Sequence, residues 1–199
     1  MNRPAAIALL TLAALCYPAI AQMNPSPAAH SGTPAIASPA KAYDDLLSLF
    51  EGEMMGVVKE MPADKYDFAP SQAIFKDSQT TNYAAVRTFG QMVAHVAQAN
   101  YMFYSAAGHI KPTADVKAIE SLTKKEDLVV ALAGSFAFAH QAIATLTPEN
   151  SNETLKGPGL QTRATMAAYG IAHGYDHYGQ LVEYLRMNGH IPPASAKQP

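Results

Sequence analysis

From Lys41 onward, apolar residues recur at the spacing of helices rather than strands. Leu47, Phe50, Met54, Val57, Val58 and Met61 fall at i, i+3 and i+4 intervals, which places them on one face of a helix ending ahead of Pro62. The stretch "PADKYDFAPSQAIFKDS" then shows no strong period. A loop of that length inside a small domain is usually functional or a crossover. A second helix is predicted over about Ala84 to Ala107. A third is announced by Thr123-Lys-Lys-Glu126, a capping box in which hydroxyl and carboxylate each satisfy a free backbone N–H. It runs to about Leu146, where Thr147-Pro148 stops it. The "GPG" at 157–159 breaks the chain again, and a fourth helix follows from about Gln161 to Asn188. Gly189 supplies a left-handed terminating residue, and Pro192-Pro193 prevents resumption. No strand-like alternation and no internal repeat compete with this reading. Four helices of this length predict an all-α fold, a four-helix bundle with long inter-helix loops.

The N-terminal 40 residues have a different texture. Arg3 precedes the apolar run "AIALLTLAALCYPAIA", and Ala19-Ile20-Ala21 makes a small-x-small cleavage pattern. Residues 1–21 therefore read as a signal peptide, too short for a comfortable membrane span. Residues 22–40, with prolines at 25, 27, 34 and 39, read as a flexible linker. The bundle occupies 41–195. Cys16 is the only cysteine. The bulky Leu15 before it makes a poor lipobox, so the thiol is expected to leave with the signal. The mature chain then has no disulfide and no cysteine nucleophile. Export, most simply to a periplasm, is the expected destination, with no integral span after cleavage.

Charge narrows the partners. Charged residues make up 15% of the chain and the formal net charge is −2, with no cluster of lysines or arginines. Neither nucleic acid nor an electrostatic membrane attachment suits that surface.

Histidine placement carries the candidate chemistry. His173 and His177 stand one turn apart, about 40° around the fourth helix. Tyr169, Gln180 and Tyr184 share their stripe, flanked by Leu181 and Leu185. On the second helix His95 shares an apolar face with Thr88, Met92, Ala99 and Met102, so it is expected to point inward. Three imidazoles meeting across a bundle suit zinc, nickel or iron(II). Spacing by itself leaves a metal site and hydrogen-bonded core histidines both open. His140 on the third helix is the reserve ligand. His109 reads as a helix-end residue, His190 as solvated and His30 as a linker residue. Gln180, Tyr169 and Asp176 are nearest for orienting the rings, with Asp176 furthest off the stripe. The 62–81 loop and the 147–159 segment are expected to rim the pocket. No Glu or Asp lies on the histidine stripe, so no general base or other catalytic residue is assigned.

Three runs, "MPADKYDFAP", "VRTFGQMVAHVAQANYMF" and "AHGYDHYGQLVEYLRMNGHIPPAS", together resemble the DinB family of DinB/YfiT-like metalloenzymes. They occur in the family's order and span about 41–195. The resemblance implies a four-helix bundle with a divalent metal ion on three histidines, which map onto His95, His173 and His177. It also implies a small-molecule substrate, and the family's tendency to dimerise makes a homodimer expected. His190 stands where an aliphatic residue is commoner. Characterised relatives are mostly transferases or isomerases working with a cytosolic thiol, from which an exported chain is separated. The expected function is a metal-dependent hydrolase or transferase. A non-catalytic metal-binding or stress-associated module, or a structural bundle, is the alternative.

Overall fold

The computed structural model describes residues 36–74, 76–156 and 161–196. The expected signal peptide, Cys16, His30 and most of the expected linker lie outside the described residues. Four helices run in order: α1 (Pro39–Glu60), α2 (Phe89–Gly108), α3 (Lys125–Ile143) and α4 (Arg163–Met187). Among the described residues there is no strand, only an isolated bridge between Thr154 and Thr162. α2 packs against α3 and α4, and α1 against the same two helices, so the bundle closes with α1 diagonal to α2.

α1 starts two residues ahead of the sequence expectation. Ser38 accepts from the Lys41 N–H at 3.1 Å, and Pro39 occupies a first-turn position where its missing N–H costs nothing. Its predicted apolar face is wholly buried: Leu47, Phe50, Met54, Val57, Val58 and Met61 are all at 0% exposure. That burial, multiplied over each helix, is what holds the bundle together.

α2 begins at Phe89, five residues later than its apolar pattern suggested. Thr88 and Gln91 cap it reciprocally, and the preceding loop supplies acceptors for the next amides. Phe89 N–H donates to the Phe68 carbonyl at 2.9 Å and Gly90 N–H to the Tyr66 carbonyl at 2.8 Å. Four free N–H groups at a helix start need partners, and here a tertiary loop provides two of them. The Tyr66 hydroxyl in turn donates to the Val58 carbonyl at 2.7 Å, tying the Lys-Tyr-Asp-Phe loop to α1. Gly90 leaves room for this contact, since a Cβ there would stand 3.1 Å from the Tyr66 oxygen.

The capping box expected at Thr123–Glu126 does not form. Lys124 is the N-cap and makes no side-chain cap bond. Instead the Lys125 ammonium donates to the Lys59 and Met61 carbonyls at 2.7 and 2.8 Å. Anchoring α3 on the end of α1 overrides the local motif by one residue. α3 also stops at Ile143 rather than near Leu146, where Asn150 caps the turn by donating to the Thr145 carbonyl. α4 opens with a Thr162–Thr165 reciprocal cap and is capped at its end by Asn188, followed by Gly189 at φ 83°.

Two polar devices cross the core. Asn100 on α2 donates to the Ser135 hydroxyl on α3 at 3.0 Å, and that hydroxyl donates to the Leu132 carbonyl. Arg163, the first residue of α4, is buried. It donates to the Ala107 carbonyl and to the Thr145 hydroxyl, both at 2.7 Å. One guanidinium thus joins the end of α2, the end of α3 and the start of α4. Close backbone approach helps: at Gly108 a Cβ would meet Ala142 Cα at 2.7 Å.

His140, the reserve ligand, lies between two carboxylates of α1. Its Nδ1 is 2.6 Å from Asp44 and its Nε2 is 3.0 Å from Glu51, so it belongs to an α1–α3 clasp and not to the histidine cluster. Burial works against its charge, but hydrogen bonds to Asp44 and Glu51, and their charges, hold its pKa above the usual imidazole value. A folded-state pKa raised in this way stabilises the fold fully below the unfolded value of about 6.5 and ceases to do so as pH climbs past the folded value. The stability gap between parent and His140→Gln, followed by urea midpoints, is expected to be widest near pH 5.5 and to narrow toward pH 9. A gap that widened with pH would contradict the clasp.

Candidate metal centre

His95 lies midway along α2, and His173 and His177 lie on the middle turns of α4. The direct packing of α2 on α4 brings them together. Ring centroids stand 4.5 Å apart for His173 and His177, 4.8 Å for His95 and His177, and 5.2 Å for His95 and His173. One nitrogen from each ring can be taken so that all three lie within 4.8 Å of one another. No other group of three His, Cys, Asp or Glu side chains does this among the described residues.

The geometry suits imidazole ligation. Nε2 of His177 and Nε2 of His173 face each other at 3.2 Å. Two nitrogens each about 2.0–2.1 Å from one cation, at bond angles of about 90–110°, would stand about 2.9–3.4 Å apart. Bringing the third ring onto the same centre means closing a spread of up to 4.8 Å to that same range. His177 is buried at 7% exposure, while His95 and His173 are half-buried. The cluster is therefore backed by the core on one side and open to small molecules on the other.

A polar chain behind His177 sets its tautomer. Gln180 donates its amide to Asp176 at 3.1 Å, which turns its carbonyl toward His177 Nδ1 at 3.4 Å. That nitrogen then carries the proton, and the lone pair of Nε2 points into the cluster. An outer hydrogen bond of this kind is how protein sites orient a ligating imidazole. Asp176, which helical arithmetic put furthest from the stripe, thus acts through Gln180.

Burial and nearby positive charge favour the neutral form of His95 and His173. Burial is the largest cause lowering the His95 pKa to about 4, followed by the charge of Arg87 and by the two neighbouring histidines. His173 is also lowered, mainly by burial, then by His177, with Asp176 opposing and Arg87 reinforcing. A lowered imidazole pKa contributes stability above about 6.5 that is lost as pH falls toward the folded value. In metal-free protein the His95 ring is expected to titrate near pH 4 by heteronuclear NMR, and Arg87→Gln should move it upward. A ring titrating near 6.5 would remove this account.

A family model of the DinB superfamily matches residues 46–181, from the first buried turn of α1 to Leu181, four residues past His177. The chain belongs to the DinB superfamily. No curated protein matches it. Within this DinB bundle the "TFGQ" run is the α2 cap, the Lys-Tyr-Asp-Phe loop supplies the acceptor carbonyls that seat it, and the two α4 histidines face His95.

Other sequence expectations fare less evenly. Met102, placed on the inward stripe with His95, is 61% exposed, and Tyr169 is 53% exposed. On α2 the buried stripe leaves His95's line before it reaches residue 102 and runs instead through Ala99, Phe103 and Tyr104. Tyr169 still touches the surroundings of the cluster: its ring is 5.1 Å from Phe103, which stands 5.1 Å from His173. His109 is the left-handed C-cap of α2 at φ 54°, and His190 is half-exposed, 3.8 Å from Glu60.

The open side was not foreseen. A cleft of about 350 Å³ beside His95 is lined by Arg87, Gln91, Ala94, Gln98 and Glu120. Its outer wall comes from the α2–α3 connector, not from the two loops expected to rim it. The 62–81 loop borders a separate hollow with Tyr66 and Asp67, and residues 151–156 pair with the start of α4. Arg87 was recoverable from sequence as the residue before the Thr88 cap. Glu120 was not, because it lies 25 residues past His95 on a short 3-10 turn.

Proposed function

We propose that this DinB-superfamily protein is exported and is a divalent-metal-dependent enzyme of hydrolase or transferase type, its metal held by His95, His173 and His177. The observation that carries the reading is the convergence of three imidazoles from two helices distant in sequence, with a polar cleft against one of them. A cation bound there supplies Lewis acidity. The chain's own part is to favour neutral His95 and His173, orient His177 through Gln180, and present Arg87, Gln98 and Glu120 on the open side. Zinc, nickel and iron(II) all accept imidazole, and metal supply decides among them. Support for export comes from Arg3, the apolar run after it and the Ala19-Ile20-Ala21 pattern. No helix among the described residues is long and apolar enough to cross a membrane.

The test starts from protein made with its leader and without a histidine tag. Intact mass should place the mature N-terminus at Gln22. Elemental analysis should find about one transition-metal equivalent per chain. The loaded form should then turn over a member of an ester, amide and thiol-acceptor panel. Metal without turnover would reduce the protein to a binding module, and absence of metal would withdraw the reading altogether.

A further inference from the structure

The cleft beside His95 carries two charges of opposite sign that do not neutralise each other. Arg87 and Glu120 both line it, yet neither forms an ion pair among the described residues. Each is set by its own anchor. The backbone at Arg87 is held by the Tyr184 hydroxyl of α4, which donates to its carbonyl at 3.2 Å, and the amides of Phe89 and Gly90 just beyond are tied to the Tyr66–Phe68 loop. Glu120 rides on the 3-10 turn Lys117–Ser121. That turn is fixed by buried Ile119 and by Gln98, whose amide donates to the Val116 carbonyl at 3.1 Å. The fold keeps the two charges on separate walls.

The amides between them are half-used, in opposite senses. Gln91 accepts from the Thr88 N–H through its carbonyl at 2.9 Å, which leaves its NH2 as a donor. Gln98 uses its NH2 on Val116, which leaves its carbonyl as an acceptor. One donor and one acceptor match the C=O and N–H of a peptide unit. A guanidinium fork matches a carboxylate, and the Glu120 carboxylate matches an ammonium group. The volume of about 350 Å³ is near the lower end for ligand sites, about 300–1,000 Å³.

We infer that this cleft recognises a small zwitterion with a central amide, a free dipeptide being the simplest, with its carboxylate on Arg87 and its ammonium on Glu120. Recognition by these two charges is independent of the metal. That the bound molecule is also the substrate, its amide lying toward the histidines, rests on the function proposed above.

The experiment titrates glycylglycine, N-acetylglycylglycine and glycylglycinamide into the whole mature protein, zinc-free and zinc-loaded, following amide chemical shifts. The free dipeptide should bind most tightly in both forms, and loss of either terminal charge should weaken binding by about tenfold, the scale of one charge-assisted hydrogen bond. Arg87→Gln should abolish the advantage of a free carboxylate, and Glu120→Gln the advantage of a free amine. Metal content of both variants should match the parent, which separates this proposal from the metal reading. Equal binding of the three probes would overturn it, as would no saturable binding. So would a ranking unchanged in both variants, or a ranking seen only with zinc, where the probe's own termini would be taking the metal.

Discussion

Protein carrying His177→Ala is expected to emerge from purification with almost no bound transition metal, where the parent carries about one equivalent. Three neutral imidazoles form a half-shell, and removing one leaves two ligands that cannot hold a cation against buffer and chelators. His177 is the most sensitive of the three because it is the buried member and the one oriented from behind. His95→Ala and His173→Ala should act in the same direction. Gln180→Ala should leave the stoichiometry reachable at excess metal but weaken affinity by about 10–100-fold, the usual range for residues that orient a ligand. His140→Ala and His190→Ala should retain metal, since one ring is taken up by Asp44 and Glu51 and the other lies beside Glu60. Elemental analysis of folded, untagged protein reads all six. An unchanged metal content in His177→Ala would remove that residue from the site.

The second large effect comes from a residue with no functional group. At Gly174 on α4 a Cβ would overlap the ring of Phe50 on α1. Phe50 is wholly buried, packed edge-on against Phe136 at 5.4 Å and tilted against Tyr175 at 4.9 Å, so its ring has nowhere to swing. Gly174→Ala would gain about 1 kcal/mol of helix propensity. Overpacking of a filled core typically costs about 1–3 kcal/mol and occasionally more; with ring atoms this close the upper part of that range applies, and net destabilisation of about 1–2 kcal/mol is expected in urea. Gly179→Ala is the matched control, because nothing lies within 4 Å of its Cβ position. That variant should be neutral or more stable by up to about 1 kcal/mol. If both substitutions behaved alike, the close α1–α4 approach would be wrong. Gly174 adjoins His173, so displacing α4 there should also loosen the histidine cluster.

These two predictions differ in how far the chain alone foretold them. The histidines could be read from a helical wheel: His173 and His177 need only the i, i+4 interval, and His95 needs only an apolar face. Gly174 could not, because its constraint is an aromatic ring more than 120 residues away in the chain. The same division runs through the helix ends. The Gly189 stop and the start of α4 near Gln161 were visible locally. The Thr123–Glu126 box was visible too and is not used, because Lys125 finds two carbonyls on α1 and that anchor sets where α3 begins. α2 starts late for a related reason: residues 84–88 are apolar enough to look helical, but the Tyr66 and Phe68 carbonyls fix the first turn at Phe89.

What the sequence by itself determined is the set of faces. Periodicity decides which side of each helix must leave water, and four such faces leave few arrangements other than a bundle, with three histidines among the inward positions. Only the tertiary structure decided what those positions meet. Which helices are neighbours settles that His140 is claimed by Asp44 and Glu51 while His95 is left to face α4. Packing of the helices leaves Met102 and Tyr169 facing outward, and the packing of a short connector against α2 brings Glu120 into a cleft with Arg87. The reason is one of range: burial and caps act within a turn or two of the chain, whereas the partners of a side chain are set by helices whose separation in sequence carries no periodic signal.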